Sequence, residues 1–288
     1  MTTLVGGPRA RGRRRLLLRS TPLTVALSFG FIGLLLFLAA FGPLLAPHGP
    51  GSLNLATGLT TPNGEFWFGT DDLGRDVFSR TIYGVRYALF GPVLIVVGAF
   101  VIGNVLGLAA GYRGGMLDAS VMRWVDLMYA VPGLLVTIVL IGVLGASYLL
   151  AVVVLVVLTS PFDTRVIRGV TLEQRSLPYV EAARTLGLPV RAILFRHIFP
   201  NILPISFANA FLNFAFSLVA LSALSFLGLG IGPGTADWGR MLSESRLLLF
   251  ENPAAALAPG GMIVLTATSM NLIGDWLYDR LADRGRAR

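Results

Sequence analysis

One short segment, residues 178–188, carries the residue types that could bind another protein. Apolar and small residues recur in it at steps of three and four, which predicts an amphipathic helix that begins at Pro178 and stops at Gly187. Charged side chains on its other faces could make charge-assisted contacts at the rim of a partner's groove. The candidate contact residues are Glu181, Ala182, Ala183, Arg184 and Gly187. An interfacial helix held by arginines on anionic lipid explains the same pattern equally well.

Few other residues could support catalysis or metal binding. The chain has no cysteine, which excludes thiol chemistry, disulfides and zinc–thiolate sites. It also has no lysine, since all 23 basic residues are arginine, and a Walker A phosphate loop needs its lysine. With only His48 and His197, a multi-histidine metal site is not expected either. We therefore expect no catalytic residue, no bound metal and no cofactor in this chain.

The composition indicates an integral membrane protein. Hydrophobic residues make up 55% of the chain and charged residues only 13%, whereas soluble domains are about half apolar and a quarter charged. So few charges cannot cover the surface of a 288-residue globule, and lipid must cover much of it. The formal net charge of +8 comes from arginines placed between apolar stretches. That placement favours membrane lipid over nucleic acid as a partner.

Six stretches are long enough to cross a bilayer, which takes about 20 mostly apolar residues. They are 22–46, 87–111, 121–144, 146–164, 204–228 and 256–276. Lipid forces the backbone to satisfy its own hydrogen bonds, so the predicted fold is an all-α polytopic bundle. This transmembrane domain, 22–276, lies between the tails 1–21 and 277–288. The connections include two outer segments, 47–86 and 229–255, and one long inner loop, 165–203.

The distribution of arginines predicts the orientation of the bundle. Six arginines fall in 1–21, one at 113, six in 165–203 and four in 277–288, against five in the two outer segments. An excess of this kind marks the cytoplasmic side, so both termini and the loop 165–203 are expected there. The basic start followed by an apolar run resembles a signal peptide, but the run is too long and five more spans follow.

The outer segment 47–86 contains a polar stretch that could line a pathway or contact an extracytoplasmic protein. Its candidate residues are Gly69, Thr70, Asp71, Asp72, Gly74, Arg75 and Asp76. The alternative is a self-capped turn and helix, in which Asp71 or Asp72 serves as the N-cap. The two interpretations are compatible.

Two patterns within the spans predict packing and pairing. Glycines at 98, 103, 107 and 111 have the spacing of a helix face that a neighbouring helix approaches closely. Arg123 and Asp126 lie three residues apart near the inner end of the third span, which favours a local ion pair. A role in the substrate path is the alternative for this pair, because charges inside membranes are usually functional.

The loop resembles the EAA loop of ABC-importer permeases, whose pattern is Glu-Ala-Ala, three residues, Gly, nine residues and Ile-x-Leu-Pro. The matching positions here are Glu181, Ala182, Ala183, Gly187, Phe199 and Pro200. His197 stands where isoleucine is expected. Arg196, His197, Pro200 and Asn201 instead resemble the version found in peptide-type permeases. The resemblance adds Arg196 and Pro200 to the candidate docking residues.

Four further blocks resemble DppC/OppC-type permease subunits of the peptide and nickel permease family. They are FGTDDLGRDVFSRTIYG (68–84), MRWVDLMYAVP (122–132), LSFLGLGIGPGTADWG (224–239) and NLIGDWLYDRLADR (271–284). Together with the EAA loop they cover nearly the whole chain in the right order. The chain is therefore identified as a member of this family.

The resemblance implies a non-catalytic subunit of an ATP-driven importer in the bacterial inner membrane. A second homologous permease of DppB/OppB type would complete the pathway, and an extracytoplasmic solute-binding protein would deliver the substrate. Two cytoplasmic ATPase subunits would bind ATP and Mg²⁺ and receive the EAA loop, which acts as a coupling helix. Substrates in the family are di- and oligopeptides, with nickel complexes or other small solutes in related branches.

Two other classes of function find less support in the same residues. An intramembrane protease needs a nucleophile and a base deep in its spans, and no histidine lies within a predicted span. An ATP-independent secondary carrier or channel commonly has broken helices or inverted repeats around ionisable groups at the midplane. The sequence alone indicates neither feature.

Overall fold

The protein is a bundle of α-helices, as the sequence predicts. The computed structural model describes residues 22–232 and 234–286, and in that part the regular structure is helical apart from one isolated β-bridge between Thr70 and Asp76. The helices are α1 (Leu23–Leu45), α2 (Val77–Arg113), α3 (Gly115–Tyr129), α4 (Gly133–Leu144), α5 (Tyr148–Arg175), α6 (Pro178–Thr185), α7 (Val190–Ala192), α8 (Phe199–Phe226), α9 (Trp238–Ser245) and α10 (Ala254–Arg286). The predicted tail 1–21 lies outside the described residues.

Five helical stretches of the described residues are long and apolar enough to cross a membrane. They are α1, α2, α5, the stretch 190–226 and α10. Helices α3 and α4 pass the same test together but are bent by 80° to each other. The span expected over 121–144 is therefore a broken helix, where the sequence suggested none. Pro132 explains the break, because proline lacks an N–H and disfavours a helical residue before it.

Helix α2 begins ten residues before the predicted span 87–111. Asp76 is the reason, because its side chain accepts hydrogen bonds from the backbone N–H groups of Phe78 and Ser79 and caps the helix. The prediction that Asp71 or Asp72 is the N-cap is therefore wrong. The last ten residues of the predicted outer segment belong to α2.

The helical structure from Val190 continues without interruption to Phe226, so it joins the predicted inner loop directly to the predicted span 204–228. A π-helical segment, Ile193–Ile198, joins α7 to α8, and the N–H of Phe199 donates to the carbonyl of Leu194. Pro200 lies in the first turn of α8, where a missing N–H is tolerated. The predicted inner loop, 165–203, is thus mostly helical.

The glycines of α2 bring it into close contact with α5, as their spacing predicts. A Cβ atom added at Gly107 would lie 2.7 Å from the Cβ of Ile167, and one at Gly98 would lie 2.7 Å from a methyl group of Val156. Gly103 and Gly111 meet α5 in the same way, at Asp163 and Thr171. Close helix contact along this stripe fixes α2 and α5 as one unit.

The apolar interior forms separate clusters along the bundle. One cluster joins α1, α2, α8, α9 and α10 around Trp238, whose ring nitrogen donates to the carbonyl of Thr81 at 2.9 Å. Another lies where α2, α5, α6 and α8 meet, and it includes Ile167, Val180 and Ile198. This second cluster, which we call the α6 root cluster, attaches the inner loop to the spans.

Candidate partner-docking helix

Helix α6 forms and ends as its sequence predicts. Pro178 occupies its first turn, and Gly187 has a φ of 73°, a left-handed conformation that glycine adopts without strain. The N–H of Gly187 donates to the carbonyl of Arg184 at 2.9 Å, and that of Leu188 donates to the carbonyl of Ala183 at 3.2 Å. These two bonds close the carboxyl end of the helix in a Schellman-type stop.

The two faces of α6 have different environments. Val180 is 0% exposed and Ala183 is 4% exposed, because both pack in the α6 root cluster. Ala183 therefore anchors the helix and is not part of the contact surface, which corrects the prediction. Glu181, Ala182, Arg184 and Gly187 are exposed as expected. Leu186 follows the last helical residue and is 79% exposed.

Arg184 joins the exposed face of α6 to the end of α2. Its guanidinium lies 4.9 Å from the centre of the Tyr112 ring, and its Nε is 3.3 Å from the Tyr112 hydroxyl. Arg175, at the end of α5, donates to the carbonyl of Tyr112 at 3.0 Å. Tyr112 is therefore a functional candidate that sequence reasoning missed, because it lies 72 residues from Arg184 along the chain.

Arg196 and Pro200 do not lie in α6. They are exposed on the π-helical segment and the first turn of α8, respectively. Asn201 next to them donates to the hydroxyl of Tyr179 in α6 at 3.2 Å. The sequence-predicted docking residues are thus divided between two neighbouring helical pieces that this contact connects.

The predicted ion pair between Arg123 and Asp126 is not formed. Asp126 accepts from Arg165 of α5 at 2.5 Å, and the Arg165 guanidinium lies 4.7 Å from the centre of the Tyr129 ring. One turn of α5 further on, Arg168 makes a two-point contact with Asp118. These contacts hold α3 along α5 and replace the local pair, because α5 extends beyond its predicted end and brings two arginines alongside α3.

The polar stretch of the outer segment is largely buried. Thr70, Asp71, Arg75 and Asp76 are each less than 5% exposed, whereas Asp72 is exposed. Gly69 and Gly74 have φ values of 70° and 69°, and side chains there would collide with neighbouring backbone. The stretch is therefore a structural turn that precedes α2, and only a small part of it is available to a binding protein.

An ion-pair network ties this outer stretch to α9. Glu244 accepts from Arg75 at 2.7 Å and from Arg80 at 2.8 Å, while Arg240 binds its other oxygen at 3.0 Å. Asp71 pairs with Arg75 at 2.7 Å. Glu244 is the member that sequence reasoning missed, since it lies 169 residues from Arg75. The network unites the two predicted outer segments in one rigid cap.

The described residues thus form a membrane bundle that holds a short exposed helix between two of its spans. Comparisons with known proteins show which family has this architecture. The chain belongs to the family of binding-protein-dependent transport system inner membrane components, whose model matches residues 103–286. It is a permease subunit of an ABC importer, of the DppC/OppC type.

Named relatives cover most of the chain. It is 37% identical to the dipeptide transport system permease protein DppC of Alkalihalophilus pseudofirmus, over 85% of this chain and 81% of that protein. It is 35% identical to the oligopeptide transport system permease protein OppC of Bacillus subtilis, over 87% and 82% respectively. A chain of the inward-facing MetNI methionine ABC transporter has the same fold, with a TM-score of 0.57 at 18% identity, covering 70% of this chain and 96% of that one.

Proposed function

We propose that this chain forms half of the translocation pathway of an importer for di- or oligopeptides, and that ATPase subunits drive it through α6. Relatives named for dipeptide and oligopeptide transport support the substrate class. So does a glutathione transport system permease protein of Pectobacterium atrosepticum, which is 38% identical over 76% of this chain. The substrates for which these three relatives are named are short peptides, so we favour peptides over nickel complexes.

The observation that carries the proposal is the two-sided environment of α6. One side is anchored by buried Val180 and Ala183, and the other side presents Glu181, Ala182 and the exposed Leu186. A short rigid helix with small and charged residues suits docking into the groove of another protein. Because the α6 root cluster includes side chains of α2, α5 and α8, a displacement of α6 acts on all three helices.

The division of labour follows from what the chain lacks. The chain has no lysine for a Walker A loop, which supports a scheme in which two partner ATPase subunits bind ATP and Mg²⁺. A second, homologous permease supplies the other half of the pathway, and an extracytoplasmic solute-binding protein delivers the peptide. The arginine asymmetry supports cytoplasmic termini and a cytoplasmic α6. The chain itself carries no catalytic group in this scheme.

The test is substitution of Gly187, where a new side chain would meet open space. Gly187→Arg places a bulky charge at the docking surface and strains the left-handed turn. In proteoliposomes that contain the complete transporter and its binding protein, we expect uptake of a labelled dipeptide to fall about tenfold or more per ATP hydrolysed. Gly187→Asn is the matched control, because asparagine tolerates this backbone conformation and adds little bulk.

Two results would contradict the proposal. Normal uptake by Gly187→Arg at full membrane levels would show that α6 does not couple the ATPases to the spans. The second result is that a nickel chelate inhibits uptake by the wild-type transporter whereas unlabelled di- and tripeptides do not. This result would refute the proposal that the substrate is a peptide.

A further inference from the structure

In the part of the chain that the structure describes, a carboxyl group lies buried inside the membrane-spanning bundle without a basic partner. Asp163 of α5 is 5% exposed. The same oxygen, Oδ1, accepts hydrogen bonds from the side-chain amides of two residues of α8: Asn209, and Asn213 at 2.6 Å. Among the described residues it takes part in no salt bridge. A buried polar group of this kind is costly unless its neighbours satisfy it, so these bonds select this arrangement of α5 and α8.

The same face of α8 carries a second polar contact one turn away. Ser206 donates to the side-chain oxygen of Asn104 in α2 at 2.8 Å. Ser206, Asn209 and Asn213 are spaced by three and four residues, so they lie on one side of α8. Gly103 lets α2 pack directly against α5 at this position, because a Cβ atom there would meet the Cβ of Asp163. Helices α2, α5 and α8 therefore meet at one polar layer. Asp163 supplies the carboxyl group of this layer, and the other polar side chains are amides and a hydroxyl.

The polar layer joins the two helices that flank α6 in the chain. The chain leaves α5 at Arg175, forms α6, and returns to the bundle through the continuous helix from Val190 to Phe226. The two helices that bracket α6 are thus the two helices that Asp163 joins. A force applied to α6 acts on both, and it could either move them together or separate them.

We propose that Asp163 is a positioning residue that clamps α5 to α8, so that the motion of α6 displaces both helices as one body. This inference rests on the proposed function for its transport consequence. A carboxyl oxygen suits the role because it accepts two amide hydrogen bonds at once, with little water to compete. Loss of the clamp lets α6 move without carrying the pathway helices, and ATP is then hydrolysed with less transport.

The first experiment measures uptake per ATP hydrolysed by the complete reconstituted transporter. For Asp163→Leu we expect this ratio to fall about five- to tenfold while hydrolysis continues. Asp163→Asn keeps the shape of the side chain and lowers the ratio about threefold. The double variant Asp163→Asn with Asn213→Asp exchanges the partners, restores one carboxyl group between the helices and returns the ratio towards the wild-type value. A purely structural role would lower the amount of folded protein and leave the ratio unchanged.

The matched control is Thr164→Val, at the neighbouring buried position. The hydroxyl of Thr164 donates only to the carbonyl of Ser160 within α5, at 2.8 Å. Its removal leaves the contact between α5 and α8 intact, so the ratio stays at the wild-type value. An equal loss in Thr164→Val and Asp163→Asn would overturn the proposal.

The second experiment needs neither transport nor partners. Because the chain has no cysteine, spin labels can be attached only at Phe162→Cys of α5 and Phe207→Cys of α8, two exposed positions. In the isolated chain in nanodiscs we expect a single narrow distribution of distances between the two labels. This distribution broadens in Asp163→Asn and narrows again in the double variant Asp163→Asn with Asn213→Asp. An unchanged distribution in Asp163→Asn refutes the clamp. If the wild-type complex takes up no peptide, the proposed function fails. The distances between the spin labels still show whether Asp163 holds α5 against α8.

Discussion

Arg184 belongs to the exposed face of α6 and, at the same time, to its attachment. Its guanidinium stacks on Tyr112, which is 8% exposed at the end of α2. A cation–aromatic contact at an exposed site contributes about 0.5–1 kcal/mol. Arg184 is therefore held by a contact within the chain, in addition to being exposed to a partner. Its contact with Tyr112 provides a route from the docking surface to α2.

Tyr112→Leu tests this route at the level of single residues. Loss of the ring removes the contact with Arg184, so we expect the amides of residues 181–186 to exchange with solvent about threefold faster, which corresponds to about 0.6 kcal/mol. Hydrogen–deuterium exchange of the chain in nanodiscs measures this. Tyr112→Phe keeps the ring and should exchange almost as slowly as the wild type. Equal protection of α6 in Tyr112→Leu and the wild type would exclude the route.

The sequence predicts individual residues well where the signal is local. Pro178 and Gly187 delimit α6 because proline and glycine impose backbone conformations on their immediate neighbours. Tyr112, Glu244 and Asp163 could not be predicted in the same way, because each makes a defining contact with a residue at least 46 positions away along the chain. The prediction of an ion pair between Arg123 and Asp126, which rested on local spacing, was wrong for the same reason, because Asp126 pairs with Arg165 of α5.

At the scale of helices, the apolar pattern predicts where membrane-length segments lie but not where helices end. Capping by Asp76 extends α2, and the broken pair α3 and α4 replaces one continuous span. Hydropathy contains no information about either event, since both depend on hydrogen bonds and on one proline. The glycine stripe of α2 is the exception, because its spacing alone predicts that a neighbouring helix approaches it.

Gly107→Ala tests the contact between α2 and α5. The new Cβ would lie 2.7 Å from the Cβ of Ile167 and 2.9 Å from the carbonyl oxygen of Thr164, so the helices must separate. Overpacking of this kind costs about 1–3 kcal/mol. Unfolding in mixed micelles with increasing SDS measures the loss. Gly33→Ala in α1 is the control, because its Cβ would meet nothing within 4 Å. Equal stability of the two variants would show that α2 and α5 are not in close contact.

At the scale of the whole molecule, two rigid regions lie at different parts of the bundle. The ion-pair network of Arg75, Arg80, Arg240 and Glu244 fixes the cap formed by the two predicted outer segments, and the α6 root cluster fixes the predicted inner loop. Helices α2 and α8 take part in the packing of both regions. The bundle therefore provides continuous helical connections between the site that would receive force and the side that would receive substrate.

The orientation of these two regions in the membrane is a prediction that single cysteines can test in this cysteine-free chain. Glu181→Cys lies on α6, and Asp72→Cys lies in the outer segment, and both positions are exposed. Because arginines concentrate on the α6 side, we expect a membrane-impermeant maleimide to label residue 181 only in inverted vesicles and residue 72 only in right-side-out vesicles. Each variant is the control for the other. Labelling of residue 181 from the outside would place α6 beyond the reach of cytoplasmic ATPases, and force could not enter the bundle through it.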